Sequence, residues 1–125
     1  LSLMETQELV KYILPREIGD NFDIVGTREA GSILTIYLDE KHIIPEEHKD
    51  KPLESKGFSP SVTIEDFPIR EWKVLLEVRR RLWRDKITGK IYSRDWELKA
   101  QGTSYTKEFS AFLKEMVRQL PRKRQ

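Results

Sequence analysis

From Trp72 onward the even positions read Trp72, Val74, Leu76, Val78, Arg80 and Leu82, while the odd ones read Lys73, Leu75, Glu77, Arg79, Arg81 and Trp83. This period of two predicts a long strand with one face on a core. After Asp85 the run Lys86-Ile87-Thr88-Gly89 predicts a tight turn, because an aspartate in first place can hydrogen-bond the turn backbone and a glycine can take positive φ without a Cβ clash. A second strand, Lys90 to Leu98, then returns along the first. Two registers compete. With a four-residue loop Asp85 pairs with Lys90, so Trp83 faces Tyr92, Arg81 faces Arg94, Arg79 faces Trp96 and Arg80 faces Asp95. With a three-residue loop and a glycine bulge, closed by Lys86 and Lys90, Arg79 meets Glu97 and Arg81 meets Asp95. The first is preferred, since it stacks Trp83 on Tyr92 and gives Arg80 a partner.

Elsewhere the pattern predicts shorter elements. Thr6 to Leu14 carries Leu9, Val10, Ile13 and Leu14 at helical spacing, and Pro15 stops this short amphipathic helix. A turn at Gly19-Asp20-Asn21 leads into Phe22–Thr27 and Ile33–Asp39, a hairpin joined through residues 28–32. Residues 40–60 are polar, carry Pro45, Pro52 and Pro60, and show neither period; they predict a long loop with a helical turn at Glu46–Lys49. Ser61 to Phe67 alternates as a short strand ended by Pro68. The clearest helix spans 106–120: Phe109, Phe112, Leu113, Met116, Val117 and Leu120 share one face, Thr106 stands at the N-cap position and Pro121 closes it. Lys107, Ser110, Lys114 and Arg118 form a stripe on the opposite face, and the basic run Pro121-Arg122-Lys123-Arg124 follows. The fold expected is α+β, with a short N-terminal helix, an antiparallel sheet of two hairpins plus strand 61–67, and a C-terminal amphipathic helix. Val74, Leu76, Val78, Ile36, Leu38, Phe109, Leu113 and Met116 should form the core.

Length changes the picture by limiting it: 125 residues suit a single domain, 1–125, in three parts, an acidic 4–70, a basic hairpin 71–105 and the helix 106–120. The net charge of +2 hides a split, because residues 1–70 hold 8 Lys/Arg against 14 Asp/Glu whereas residues 71–125 hold 15 against 7. The second part is therefore a basic module, as a polyanion partner would require. Cysteine is absent, which removes disulfides and thiolate metal sites and suits a reducing cytoplasm. No apolar run approaches the roughly 20 residues of a membrane span.

Catalytic chemistry finds little footing. His42 and His48 are the only histidines, six apart in a charged loop, so no metal set is expected. Glu46-Glu47 beside them fits loop solubility better than acid–base work. No GxxxxGK[ST], GxGxxG or GxSxG pattern occurs. The chain is not expected to be an enzyme, and no cofactor is expected.

The run ESKGFSPSVTIEDFPIREWKVLLEVRRRLWRDKITGKIYSRDWEL, followed by AQGTSYTKEFSAFLKEM, resembles the N-terminal region of ISAon-type insertion-sequence transposases. The Asp-Phe-Pro-Ile stretch at 66–69, the Arg79–Asp85 block and the helix start at Thr106–Phe109 carry the resemblance most specifically, with the helix ending in Leu14-Pro15 and the run 33–40 extending it over nearly the whole chain. More distantly the chain is similar to the zinc-finger N-terminal region of ISL-type transposases, but the cysteine pairs that would lie near 41–55 and 85–90 are missing. The resemblance therefore implies a zinc-ribbon-like module held by packing rather than by metal. It also implies recognition of the element's terminal DNA, with strand transfer left to a separate RNase-H-like catalytic domain.

Two functional classes stay open. The first is a DNA-binding module acting on double-stranded DNA, with Arg79, Arg81, Arg84, Arg94, Lys107, Lys114 and Arg118 as contacts and Trp83, Tyr92 and Trp96 as stacking residues. The second is an assembly module that binds the transposase catalytic chain or forms a homodimer, through the apolar face of helix 106–120 and the acidic half. Arg79 and Arg81 would then be cation–π or ion-pair residues within the fold.

Overall fold

Strand β5, Trp72–Arg79, is the centre of the architecture in the computed structural model, which describes residue 10 and residues 13–100 and 104–120. Of residues 67 and 98 only the backbone is described. Val74, Leu76 and Val78 turn inward from β5, at 1% exposure each, as the alternation predicts. Around it lies a four-stranded sheet in the order β1-β2-β5-β4, with β1 Phe22–Ala30, β2 Ile33–Glu40 and β4 Val62–Ile69. β1–β2 and β4–β5 are antiparallel hairpins. Each turns tightly: Ala30 pairs with Ile33 across Gly31, which has φ 59°, and Ile69 pairs with Trp72 across Arg70, which has φ 54°.

The two hairpins meet along β2 and β5, and this pair is parallel, with Ile33 opposite Lys73 and Asp39 opposite Arg79. An all-antiparallel sheet was expected because no crossover helix lies between them. The connection instead runs through a loop, one strand of a second sheet and β4, so the crossover is made of strands.

That second sheet, in the order β3-β6-β7, consists of β3 Leu53–Phe58, β6 Arg81–Asp85 and β7 Ile91–Tyr92. It corrects the sequence reading in three ways. The long strand beginning at Trp72 is broken at Arg80: beyond it the inward phase passes to the odd positions Trp83 and Asp85, and Ser59 N donates to the Arg80 carbonyl at 2.9 Å. The expected loop 40–60 contains β3 as well as the helical turn at Glu46–His48; its few apolar residues hide a strand that exists by pairing with β6, with a bulge at Gly57 (φ 91°). The return strand ends at Tyr92 rather than Leu98, and Trp96–Ala100 is a helix, α2 in the numbering that follows. Its sequence WELKA is composed largely of good helix formers.

The four-residue loop is the register adopted. Trp83 pairs with Tyr92, and Asp85 N donates to the Lys90 carbonyl at 2.8 Å. Asp85 Oδ1 accepts from Ile87 N and Thr88 N, at 2.8 and 3.1 Å, and Gly89 takes φ 76°.

Helix α1, Arg16–Asn21, starts after Pro15, where the sequence predicted only a turn; a proline that ends one helix also suits the entry of the next, since no intrahelical N–H is needed there. The expected helix 6–14 falls largely outside the described residues, as does the basic run 121–124, although Val10 and Leu14 are buried. Helix α3, Lys107–Gln119, is capped by Thr106, whose hydroxyl accepts from Phe109 N at 3.3 Å. α3 lays Phe109, Phe112, Leu113 and Met116 against β4 and α2. With Ile36, Leu38 and β5, all eight expected core residues are buried. Aromatic stacking closes this core: Phe22 lies 5.3 Å from Trp96 and 5.6 Å from Phe112. Pro68 is accommodated inside β4 at an irregularity on an edge strand, where its missing N–H breaks no ladder.

Candidate nucleic-acid interface

The arginines singled out from the sequence divide by what lies beside them. Arg79, at the end of β5, donates from Nε and Nη2 to the two carboxylate oxygens of Asp39 at 2.7 and 2.6 Å, a bidentate geometry that fixes the side chain. This pairing follows from the parallel register, which sets Asp39 opposite Arg79. Arg81 donates to the Glu40 carbonyl at 3.2 Å and to Ser55 Oγ at 2.8 Å. Both guanidinium groups stand over the Phe58 ring, at 4.2 Å for Arg79 and 4.7 Å for Arg81.

Glu40 holds the next layer together. It is 2% exposed, and its Oε1 accepts from Arg81 N at 3.1 Å and from Trp96 Nε1 at 3.2 Å. Arg94 Nε stands 3.5 Å from Oε2, a long contact that supplies charge more than a hydrogen bond. Burial pushes the Glu40 carboxyl upward, opposed by the Arg81 N–H, the Trp96 indole and Arg94. Arg80, whose Nε is buried without an acceptor, donates to Ser93 Oγ at 3.3 Å; burial pushes its pKa down, with Glu40 opposing.

These contacts dissolve the expected single face of Arg79, Arg81 and Arg94 with Trp83, Tyr92 and Trp96. β7 ends at Tyr92, so Arg94 and Trp96 never join the ribbon. Trp83 and Trp96 are 0% and 1% exposed and are core side chains, one edge-on to His42 at 4.9 Å and the other stacked on Phe22. Tyr92 is half-buried beneath His48 and Lys51. Sequence periodicity could not reveal this, because Asp39 and Glu40 lie about 40 positions upstream.

A different set of cations faces solvent. On the outer side of the small sheet, Arg84 stands between Glu54 and Ile91, with Nε 2.9 Å from Glu54 Oε1. Lys56, Lys86 and Lys90 are exposed, and no side-chain partner is found for them among the described residues. Glu54 is the one carboxylate among these positions, since Asp85 is buried and turned into its own loop; there the N–H groups of Ile87 and Thr88 hold its carboxyl below the ordinary range. Lys56, Lys86 and Lys90 were missed because a lysine near a turn looks like any solvated lysine.

The helix stripe is mixed. Lys107 and Lys114 are exposed, whereas Arg118 is paired with Glu115 one turn back. Beside the same helix, Glu65, Asp66, Glu108 and Glu115 rim a cleft floored by Ile18, Ile64, Leu76 and Phe112. The apolar face of α3, one of the surfaces offered to a partner chain by the assembly reading, is covered by this chain's own sheet.

Among the described residues no cluster of three or more His, Asp or Glu is arranged to hold a metal ion, and no helix is long and apolar enough to cross a membrane. Comparison with protein-family models, curated proteins and solved structures finds no match for this chain.

Proposed function

We propose that this chain is the non-catalytic N-terminal region of an insertion-sequence transposase, a cytoplasmic module that binds the double-stranded DNA at the element's ends. The observation that carries the reading is the set of lysines of the small sheet that are exposed and unpaired among the described residues, Lys56, Lys86 and Lys90, beside the Arg84–Glu54 ion pair. Phosphate neutralisation by such a set releases counterions and makes affinity steeply dependent on salt. Arg79, Arg81 and Arg94 act in this reading as braces that hold the small sheet against the large one, rather than as DNA contacts. The resemblance of residues 54–116 to transposase N-terminal regions agrees with DNA binding by this stretch.

The test is fluorescence anisotropy of the intact chain with a duplex carrying the terminal sequence of its element and with an unrelated duplex. Between about 50 and 200 mM salt, three neutralised phosphates give a loss of about fortyfold in affinity. Absence of binding, or binding indifferent to salt, overturns the reading.

A second reading, assembly with the transposase catalytic chain or a second copy, is favoured by the carboxylate-rimmed cleft beside α3, which offers an apolar floor to a basic segment. Co-purification with the catalytic chain, lost on Ala111→Arg at the cleft wall, would support it.

A further inference from the structure

The β6–β7 turn combines rigidity with an apolar tip. Ile87 is 83% exposed, the most exposed large hydrophobic among the described residues, and Ile91 on the outer side of the hairpin is 48% exposed. Such exposure in a floppy loop would carry no meaning. This loop is organised: Asp85 Oδ1 accepts from Ile87 N and Thr88 N, Gly89 N donates to the Asp85 carbonyl at 2.8 Å, Lys90 N donates to Thr88 Oγ1 at 3.2 Å, and Lys86 N donates to the Pro52 carbonyl at 2.9 Å. The backbone therefore holds an isoleucine out in water between two lysines, Lys86 and Lys90, while the one carboxylate of the turn, Asp85, is buried and turned onto the loop N–H groups.

We infer that Ile87 is a wedge that enters the minor groove of duplex DNA and partly unstacks one base step, with Lys86 and Lys90 on the phosphates of the two flanking strands. The inference rests on the DNA-binding reading above and deepens it. An apolar side chain inserted between base pairs gains burial for itself and bends the duplex, which brings the phosphates toward the cations behind it. A preorganised turn suits this role, because little backbone freedom is lost when it inserts. Ile91, Arg84 and Lys56 then face the bent backbone on the outer side of the sheet.

The experiment measures bending by energy transfer between the ends of a roughly 30-base-pair duplex of mixed sequence, together with affinity, for the intact chain, Ile87→Ser and Ile87→Phe. The side chain of Ile87 is solvent-exposed, so both variants keep the parent melting temperature. Ile87→Ser is expected to abolish the bend, weaken binding about tenfold and make the salt slope shallower, since an unbent duplex no longer brings phosphates to the cations behind the tip. Ile87→Phe is expected to restore bending. Binding with the same bend in Ile87→Ser as in the parent overturns the wedge while leaving DNA binding standing. No binding by the parent overturns both. Vesicles containing phosphatidylserine form a separate arm: Ile87-dependent binding to them without binding to duplex assigns the tip to a membrane surface and overturns the inference.

Discussion

Two groups of cations in this chain stand in opposite surroundings. Arg79, Arg81 and Arg94 sit where the large sheet passes into the small one, and each meets a group from the end of β2 or the segment after it: Asp39, Glu40 or the Ile43 carbonyl. Lys56 sits on the outer strand β3, and Lys86 and Lys90 sit in the β6–β7 turn, where no carboxylate meets them. The comparison teaches that a basic cluster in sequence is a binding surface only where the fold leaves its charges unmatched. An arginine closed on a bidentate carboxylate must break that pair before it can meet a phosphate, whereas an exposed lysine gives up only water.

The sharpest way to break the comparison is to remove a brace. Trp96→Ala deletes the ring stacked on Phe22 and leaves the buried Glu40 without its indole donor, so it should lower unfolding free energy by about 4 kcal/mol, measured by urea denaturation. Glu40→Ala leaves Arg94 and the Trp96 N–H facing an empty site, and about 3 kcal/mol should be lost. Asp39→Ala opens a pair whose arginine is 46% exposed, and solvent screening limits the loss to about 1 kcal/mol. Lysine-to-alanine changes at 56, 86 and 90 should each stay within about 0.5 kcal/mol of the parent. If the lysine variants destabilise as much as the brace variants, the division between the two groups fails.

Acid titration adds a second axis. Glu17 is held below the ordinary carboxylate range, first by the Thr106 N–H, which donates at 2.7 Å and ties α1 to the start of α3. A depressed folded pKa gives stability that is present above the unfolded value of about 4.5 and is lost as pH falls through the folded one. Asp85 behaves likewise from about 3.8 downward. Glu40 is shifted the other way by burial, so its contribution is fully present below about 4.5 and is lost as pH rises through its raised folded pKa. Thermal melts should therefore show stability rising as pH is lowered toward about 5 and falling below about 4. Glu17→Gln should flatten the acid limb and Glu40→Gln the upper one; a variant curve parallel to the parent would contradict the assigned cause.

Much of the fold was legible in local pattern. Helix α3 could be read because Phe109, Phe112, Leu113 and Met116 repeat at helical spacing behind Thr106. The β6–β7 turn could be read because Asp85 and Gly89 satisfy its backbone with their own chemistry. The break at Arg80 could not, since alternation carries on through the arginines and only the partner strand decides which sheet each half joins. Neither could β3, which has Leu53 and Phe58 at its ends and polar residues between. The candidate site was legible as a charge imbalance but not as a surface. Which cations remain free depends on Asp39, Glu40 and Glu54, and their contacts are set by the parallel β2–β5 register and the β3–β6 pairing.

The measurement that bears most directly on the central claim is the salt dependence of duplex binding for the parent and for the Lys56→Ala/Lys86→Ala/Lys90→Ala triple variant. Neutralisation of three phosphates by these lysines gives a slope of log K against log salt of roughly −2.7 for the parent, and their loss brings it toward zero. The triple variant should melt with the parent. A folded triple variant that binds duplex with the parent's affinity and slope would contradict the account.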